Sequence, residues 1–407
     1  MADHGRTARR RVRMAGLALA AVLLTPVLLA GCAAPEASDT VVRDIRRTLD
    51  ARADAAVARD EKGYLAALAP DADALRVEER RQFRHRAKVP LASWEYRLGK
   101  VERRGDTAVA DAELRYRLTG YDTVPVTAAR TLELGRYDGR WYVRADRAAK
   151  GGPQQLWQQG DVQVVHGTRS LVLAVGQDED RLRALAARAD RTVPTVSAAW
   201  PSPWARKVVV LVPESLEAMG ALLGAPATGY RGIAAVTTGE TGTAGRVPAD
   251  RVIVNPSAYG VLGDFGQEIV LTHETAHVAT RAYTSGTTPM WLSEGFADWV
   301  AYRDTGRTAA QTAPGLHRAI REGDVPARLP ADDDFAFGGE PDALAKAYEG
   351  GWLACELIAE RWGEERLTAL YRAAGDGTPE RAIREVLGTT SAAFTSAWRE
   401  YLGTRLG

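Results

Sequence analysis

A chain of 407 residues, 45% hydrophobic and 26% charged, is long enough for two domains with cores of their own and has the composition of a globular protein. Its formal net charge of +1 offers none of the basic surplus that would argue for nucleic acid, and no acidic tract marks a disordered tail. Cys32 and Cys355 are the only cysteines, so stability must come from packed cores rather than from a disulfide framework.

The N-terminus reads as an address. Arg6, Arg9, Arg10, Arg11 and Arg13 precede an apolar run at 15–30 that is too short, and too interrupted by Pro26, to favour a membrane span. The run ends Leu29-Ala30-Gly31-Cys32 and resembles the lipobox of bacterial lipoproteins, with small residues ahead of the cysteine. That resemblance implies a signal peptide at 1–32, a lipidated Cys32, and a protein held by lipid on the extracytoplasmic face of the cell membrane. Both the general and the twin-arginine export routes stay open. A short polar tether follows at 33–40.

From Val41 to Leu68 the apolar residues Ile45, Leu49, Ala53 and Val57 recur at helical spacing. The period then changes to two. Segments 94–104, 107–118, 124–137 and 140–146 alternate, are rich in aromatic and β-branched residues, and are separated by turn signals at Gly105-Asp106 and Asp138-Gly139. Residues 41–148 therefore read as a small α+β domain, helix first and then an antiparallel sheet. It weakly resembles the nuclear-transport-factor-2-like cone, which implies a binding or spacing role. No acid–base pair stands out there, and its partner is unknown.

Ala149-Lys150-Gly151-Gly152-Pro153 reads as an interdomain break, with a second domain at 154–407. Strand-like segments at 161–166, 170–176, 207–213, 232–238 and 251–256 enclose helical stretches at 179–199 and 214–223, which makes an α/β lobe. From Asp264 onward the chain reads as almost wholly helical. Cys355 lies in an apolar helical run and reads as a buried, inert thiol.

The chemistry concentrates at LTHETAHVAT (271–280). Asp264 and Gln267 fit a capping box that would start a helix over 264–281. Four-residue spacing then stacks His273 and His277 on one face, where two imidazoles can hold one zinc ion at ~2.0–2.1 Å each. Glu274 projects roughly 100° around the helix, beside the ion rather than onto it, where it can act as a general base. A catalytic site needs a third protein ligand. Residues 287–306 supply a candidate: Thr288 as N-cap, Pro289 in the first turn and Gly306 past the end frame a second helix. Glu294 sits in its apolar middle, where a lone carboxylate is costly unless paired or coordinated. Asp298, one turn on, can accept the free ring N–H of a coordinating histidine.

HETAH followed by WLSEGFADW closely resembles the gluzincin metallopeptidases, especially the aminopeptidase-N-like branch. The resemblance covers about 160–405. It implies a gluzincin domain with an α/β lobe and a mostly helical zinc-binding lobe, binding one zinc ion on His273, His277 and Glu294. Glu274 would be the catalytic base and Asp298 the partner of a zinc-bound histidine. AYEGGWLACELIAERWG (347–363) resembles the helix of that branch that supplies a tyrosine, which implies that Tyr348 donates to the developing oxyanion. Gly350 and Gly351 would permit close helix approach. His317, His85 and His166 carry no such implication, and Trp291 and Trp299 read as core. Aminopeptidases of the branch hold the substrate amine on a glutamate in an upstream strand, whereas the corresponding 232–236 has no acidic residue. Cleavage within a polypeptide is then as well supported as removal of an N-terminal residue. The expectation is a membrane-anchored, extracytoplasmic zinc metallopeptidase acting on a peptide or protein. A non-catalytic zinc-containing binding lipoprotein and a zinc hydrolase of a non-peptide bond remain the alternatives.

Overall fold

The computed structural model describes residues 37–238, 250–336 and 340–407. The signal segment 1–32 with Cys32, and 33–36 of the tether, lie outside the described residues. The fold is α+β. Helices α1 (Asp39–Val57), α2 (Glu61–Leu65) and α3 (Asp73–His85) pack on an antiparallel meander of β1 (Leu91–Arg104), β2 (Thr107–Leu118), β3 (Val126–Tyr137) and β4 (Arg140–Ala148). The helical stretch expected over 41–68 is in fact two helices. Arg59 takes a left-handed φ of 58° and the Asp60 side chain accepts from Gly63 N, starting α2 afresh. Helix α3 was not anticipated, because its run of charges hides a narrow apolar edge at Phe83. The turn between β3 and β4 has φ of 48° at Asp138 and 79° at Gly139, the left-handed pair that matches strand twist in a tight hairpin.

Alternation along β2 sends Ala108, Ala110, Ala112, Leu114, Tyr116 and Leu118 inward, into a core shared with Ile45, Leu49 and Ala53 of α1. Within this layer lies a polar cluster that the sequence did not reveal. Arg52 has no exposed side chain and meets Glu79 Oε2 at 2.7 Å, Asp146 Oδ2 at 3.0 Å and Tyr64 Oη at 2.8 Å. Asp146 also accepts from Arg130 Nε at 2.7 Å and from the Tyr96 hydroxyl at 3.0 Å. Two arginines balance two carboxylates in these ion pairs, which helps buried ions to be tolerated, while a third buried arginine, Arg86, stacks over the Tyr64 ring at 4.5 Å.

Beyond the short helix α4 (Leu156–Gln159), a five-stranded sheet runs in the order β5 (Gln163–His166), β6 (Ser170–Ala174), β7 (Val208–Val212), β9 (Val252–Val254), β8 (Ala235–Thr237). Strands β6, β7 and β9 are parallel and both edge strands are antiparallel. Parallel strands need cover on both faces. Helix α5 (Glu179–Ala199) and a later helix cover one face over Val172, Ala174, Val208 and Val210. The small N-terminal layer covers the other, over Leu171, Leu173, Val209 and Ile253. The core is therefore continuous across 149–153. Trp94, Tyr116 and Trp157 meet there with ring centroids 5.2–6.0 Å apart. Arg251 Nη1 and Nη2 grip Asp122 at 2.9 and 2.6 Å in a pair buried on both sides.

Helices α6 (Leu216–Leu223) and α7 (Pro256–Gly260) complete this lobe. The remainder is helical: α8 (Asp264–Thr280), α9 (Met290–Tyr302), α10 (Ala309–Thr312), α11 (Pro314–Arg321), α12 (Pro341–Trp362), α13 (Glu364–Asp376), α14 (Pro379–Ala382) and α15 (Ser391–Leu406). Trp291, Phe296, Trp299, Leu353, Tyr371 and Trp398 fill its core, and Cys355 is buried and unpaired. Burial pushes the Cys355 thiol well above its usual range, so it stays protonated.

Candidate active site

Three helices build the site. Helix α8 buries Leu271, Thr275 and Ala279 against α5 and the sheet, with Thr192 and Thr275 hydroxyls bonded at 2.8 Å. The expected capping box does not form. Asp264 Oδ1 instead accepts from Arg188 at 3.0 Å, and Gln267 Nε2 donates to Leu262 O and Tyr259 O in the preceding turn. Helix α9 starts at Met290 with Pro289 as its cap residue, later than expected, because Thr288 Oγ1 accepts from Ser285 N and closes the loop. The free Met290 N–H is satisfied by Asp332 Oδ1 at 2.8 Å.

Helix α12 crosses α9 at glycines. A Cβ added at Gly295 would lie 2.2 Å from Gly351 O, and one added at Gly351 would lie 2.7 Å from Trp291 O. Two bare backbones thus touch one residue from Glu294 and three from Tyr348. Of the two glycines singled out in 350–351, Gly351 makes the crossing, while Gly350 faces Pro330 and Trp398. Buried Tyr371 ties the far ends together: its hydroxyl meets Thr284 at 2.9 Å, Thr280 at 3.2 Å and Ser293 at 3.2 Å.

On these supports His273, His277 and Glu294 converge. Their facing atoms are separated by 3.1 Å (His273 Nε2 to His277 Nε2), 3.2 Å (His273 Nε2 to Glu294 Oε2) and 3.3 Å (His277 Nε2 to Glu294 Oε2). His273 Nδ1 lies 2.8 Å from Asp298 Oδ1, which assigns the ring proton to Nδ1 and leaves Nε2 a lone pair aimed at the other two atoms. Three electron-pair donors at such distances repel one another unless a cation or a shared proton lies among them. The ligand atoms of a tetrahedral ion held at ~2.0–2.1 Å lie roughly 3.3 Å apart. The donor set and its spacing fit a divalent metal. Burial opposes a positive charge on His273, yet in the absence of an ion Asp298 and Glu294 outweigh it and hold the imidazole well above its ordinary value, so the site draws a positive charge among these atoms, a proton or a metal ion. Burial likewise opposes the Glu294 carboxylate, and the two histidines overcome it and hold it ionised.

Glu274 stands beside this triangle, buried, its Oε2 accepting from the Thr237 hydroxyl at 2.5 Å. Thr237 was not singled out from the sequence. It ends strand β8, the sheet edge, and a threonine at a strand end has no pattern that distinguishes it. Tyr348 lies nearby, its ring 6.2 Å from that of His273 and braced edge-on by Phe335 at 5.3 Å. Burial and then the carboxylates of Glu294, Asp298 and Glu274 push its phenol far above the usual range, so it is a donor. His273, Glu274, His277, Glu294 and Tyr348 open on one cleft of about 770 Å³, with β8 as one wall. The other described histidines are elsewhere. His317 Nδ1 bonds Leu406 O at 2.7 Å, His85 Nδ1 bonds Trp157 O at 2.9 Å, and His166 is exposed.

No known protein-family profile matches the sequence, and neither does any curated protein. Among solved structures the chain is similar to yeast LTA4 hydrolase (12% identity, 67% of this chain and 43% of that one, TM-score 0.35). It is also similar to a two-domain M1 zinc metallopeptidase mutant bound to L-arginine (14%, 67% and 60%, TM-score 0.33). A third is an M1 zinc metallopeptidase mutant from Deinococcus radiodurans bound to a Tyr-Ser-Ala substrate (13%, 74% and 61%, TM-score 0.31). The chain spans less than two-thirds of the length of each. At these scores the overlaps are too loose to bear on function, which rests on the site itself.

Proposed function

We propose that the protein is a zinc-dependent metallopeptidase of the gluzincin type, tethered by lipid at Cys32 to the extracytoplasmic face of the membrane. The observation that carries the catalytic part is the convergence of His273, His277 and Glu294 within 3.1–3.3 Å, in a cleft that Glu274 and Tyr348 also line. A zinc ion held by these three residues would supply Lewis acidity toward the scissile carbonyl and the attacking water.

The rest is the work of side chains. Glu274, fixed by Thr237, takes the proton of the attacking water and later delivers it to the leaving nitrogen. Tyr348 donates its hydroxyl to the oxygen that gains charge, a contact worth more in the transition state than in the ground state. Asp298 holds His273 in the tautomer that presents Nε2. Among the described residues β8 is an edge strand, whose backbone N–H and C=O groups could pair with an extended substrate added as a further strand. A structural metal site has no use for Glu274, and this favours an enzyme over a purely binding lipoprotein.

The tether is supported by Leu29-Ala30-Gly31-Cys32 and by the burial of Cys355, the other thiol. Among the described residues, no helix is long and apolar enough to cross a membrane. The catalytic reading is tested by incubating the zinc-loaded protein with a diverse peptide library beside Glu274→Gln and identifying products by mass spectrometry. Cleavage by the parent alone is the expected result. Cleavage by neither, with zinc bound in both, would refute the peptidase.

A further inference from the structure

The charge of the cleft points to the class of peptide it takes. Among the described lining residues the acidic side chains are Glu274 and Glu294, and both belong to the chemistry. Among the described residues neither β8 nor the opposite wall contributes a further carboxylate to hold a free amine. Two guanidinium groups line the cleft instead, Arg231 at its exposed rim and Arg281 inside.

Arg281 is built into its place. It follows His277 by one helical turn, so it extends the row of His273 and His277 along α8. Its side chain is only 12% exposed. Asp250, 4% exposed, accepts Nε at 3.1 Å through each oxygen and fixes the guanidinium plane. Among the described residues the two terminal nitrogens form no hydrogen bond, although they carry four of the five N–H donors of the group. A purely structural ion pair with a buried aspartate would more naturally use the two-pronged face, as Arg251 does with Asp122. Here Nε takes the aspartate and the fork stays without a partner among the described residues, in a residue that lines the cleft.

We propose that Arg281 is an anion-binding residue of the substrate cleft, and that the preferred substrate is a peptide bearing a carboxylate near the cleaved bond. The proposal rests on the peptidase function above. One helical turn places Arg281 about 6 Å along the axis from His277. An extended peptide advances about 3.3 Å per residue. The scissile bond faces all three metal-site residues and the Arg281 side chain has a reach of its own, so the carboxylate lies within a few residues of that bond, and it comes from an Asp or Glu side chain or from the C-terminus of the peptide. The apolar residues Ile233, Val236, Met290 and Leu344 line the remainder and suit uncharged neighbours.

Binding is measured by calorimetry on the zinc-loaded Glu274→Gln protein. The peptides are identical except for Glu against Gln at each position, and each is made with a free or an amidated C-terminus. The parent protein is assayed for kcat/KM on the same set. The expected result is an acid preference of about tenfold or more, confined to one position or to the free terminus. Which peptides show it separates a side-chain source from a terminal one. Arg281→Gln should abolish the ratio of acidic to neutral binding, and Arg281→Lys should retain part of it. Equal binding of acidic and neutral peptides by the Glu274→Gln protein, or no binding of either, overturns the proposal without needing an Arg281 variant that folds. Cleavage without acid preference would leave the peptidase standing and remove the anion site. Acid-selective binding without cleavage in the parent would do the reverse.

Discussion

Asp298 allows the sharpest test of the metal centre, because it touches the site through one bond only. Its carboxylate accepts from His273 Nδ1 at 2.8 Å, with side chains 15% and 13% exposed. Replacing it by alanine leaves the three facing donors unchanged and removes what fixes the ring. A hydrogen bond to a charged partner in such a half-enclosed place contributes about 1.5–3 kcal/mol. Loss of a carboxylate behind a metal-bound histidine typically costs about 10–100-fold in affinity. At about 1.4 kcal/mol per factor of ten the two estimates agree. Asp298→Ala should therefore weaken zinc binding by about 10–100-fold. Asp298→Asn, which keeps an acceptor oxygen and loses the charge, should weaken it by about half as much in free energy, since neutral bonds have roughly half the strength. Zinc affinity is read by competition against a chromophoric chelator at fixed pH. Parent-like affinity in Asp298→Ala would refute the assignment of the Nδ1 proton and, with it, the argument that Nε2 faces a metal.

Other outcomes follow from the same geometry. Glu274→Gln should keep zinc affinity within error while kcat falls about 10²–10⁴-fold in a peptide assay. Tyr348→Phe should lower kcat about 10²–10³-fold with little change in KM, because its hydroxyl acts on charge that develops only in the transition state. Gly295→Ala forces a methyl toward Gly351 O, so urea unfolding should show a loss of about 1–3 kcal/mol, and zinc affinity should drop because Glu294 shifts with the helix. Asp122→Ala leaves Arg251 buried without its partner and should destabilise by about 3–5 kcal/mol in the same measurement, at a distance from the metal ligands.

The site was more legible in the sequence than the fold around it, for physical reasons. His273, Glu274 and His277 lie on one helix, where spacing alone fixes their relative directions. Glu294 and Asp298 are conspicuous as carboxylates in an apolar helix. The meander was legible because half-buried strands alternate and their turns demand special backbone angles. What escaped depends on contacts between distant segments. Arg52, Glu79, Arg130 and Asp146 look like ordinary surface charges in the chain, since nothing local marks a charge as buried. Thr237 and Arg281 gain their roles only once β8 and the end of α8 face the same space. The capping box failed because Arg188, 76 residues away, competes for Asp264, and a tertiary partner outweighed a local bond. Helix α3 was missed because charges cover all but one edge.

The N-terminal layer also acquires a structural purpose that composition does not suggest. A sheet with parallel central strands exposes two apolar faces, and α5 and α8 cover only one. Leu171, Leu173, Val209 and Ile253 on the other face are covered by the meander and by Trp157, with Asp122 and Arg251 locking the contact. Strand β9 lies inside that packing: Arg251 immediately precedes it and Ile253 belongs to it. Its neighbour β8 carries Thr237 to Glu274. The small layer thus supports the strand pair that positions Glu274, 126 residues along the chain from the end of β4 at Ala148. A spacer domain would need no such shared core.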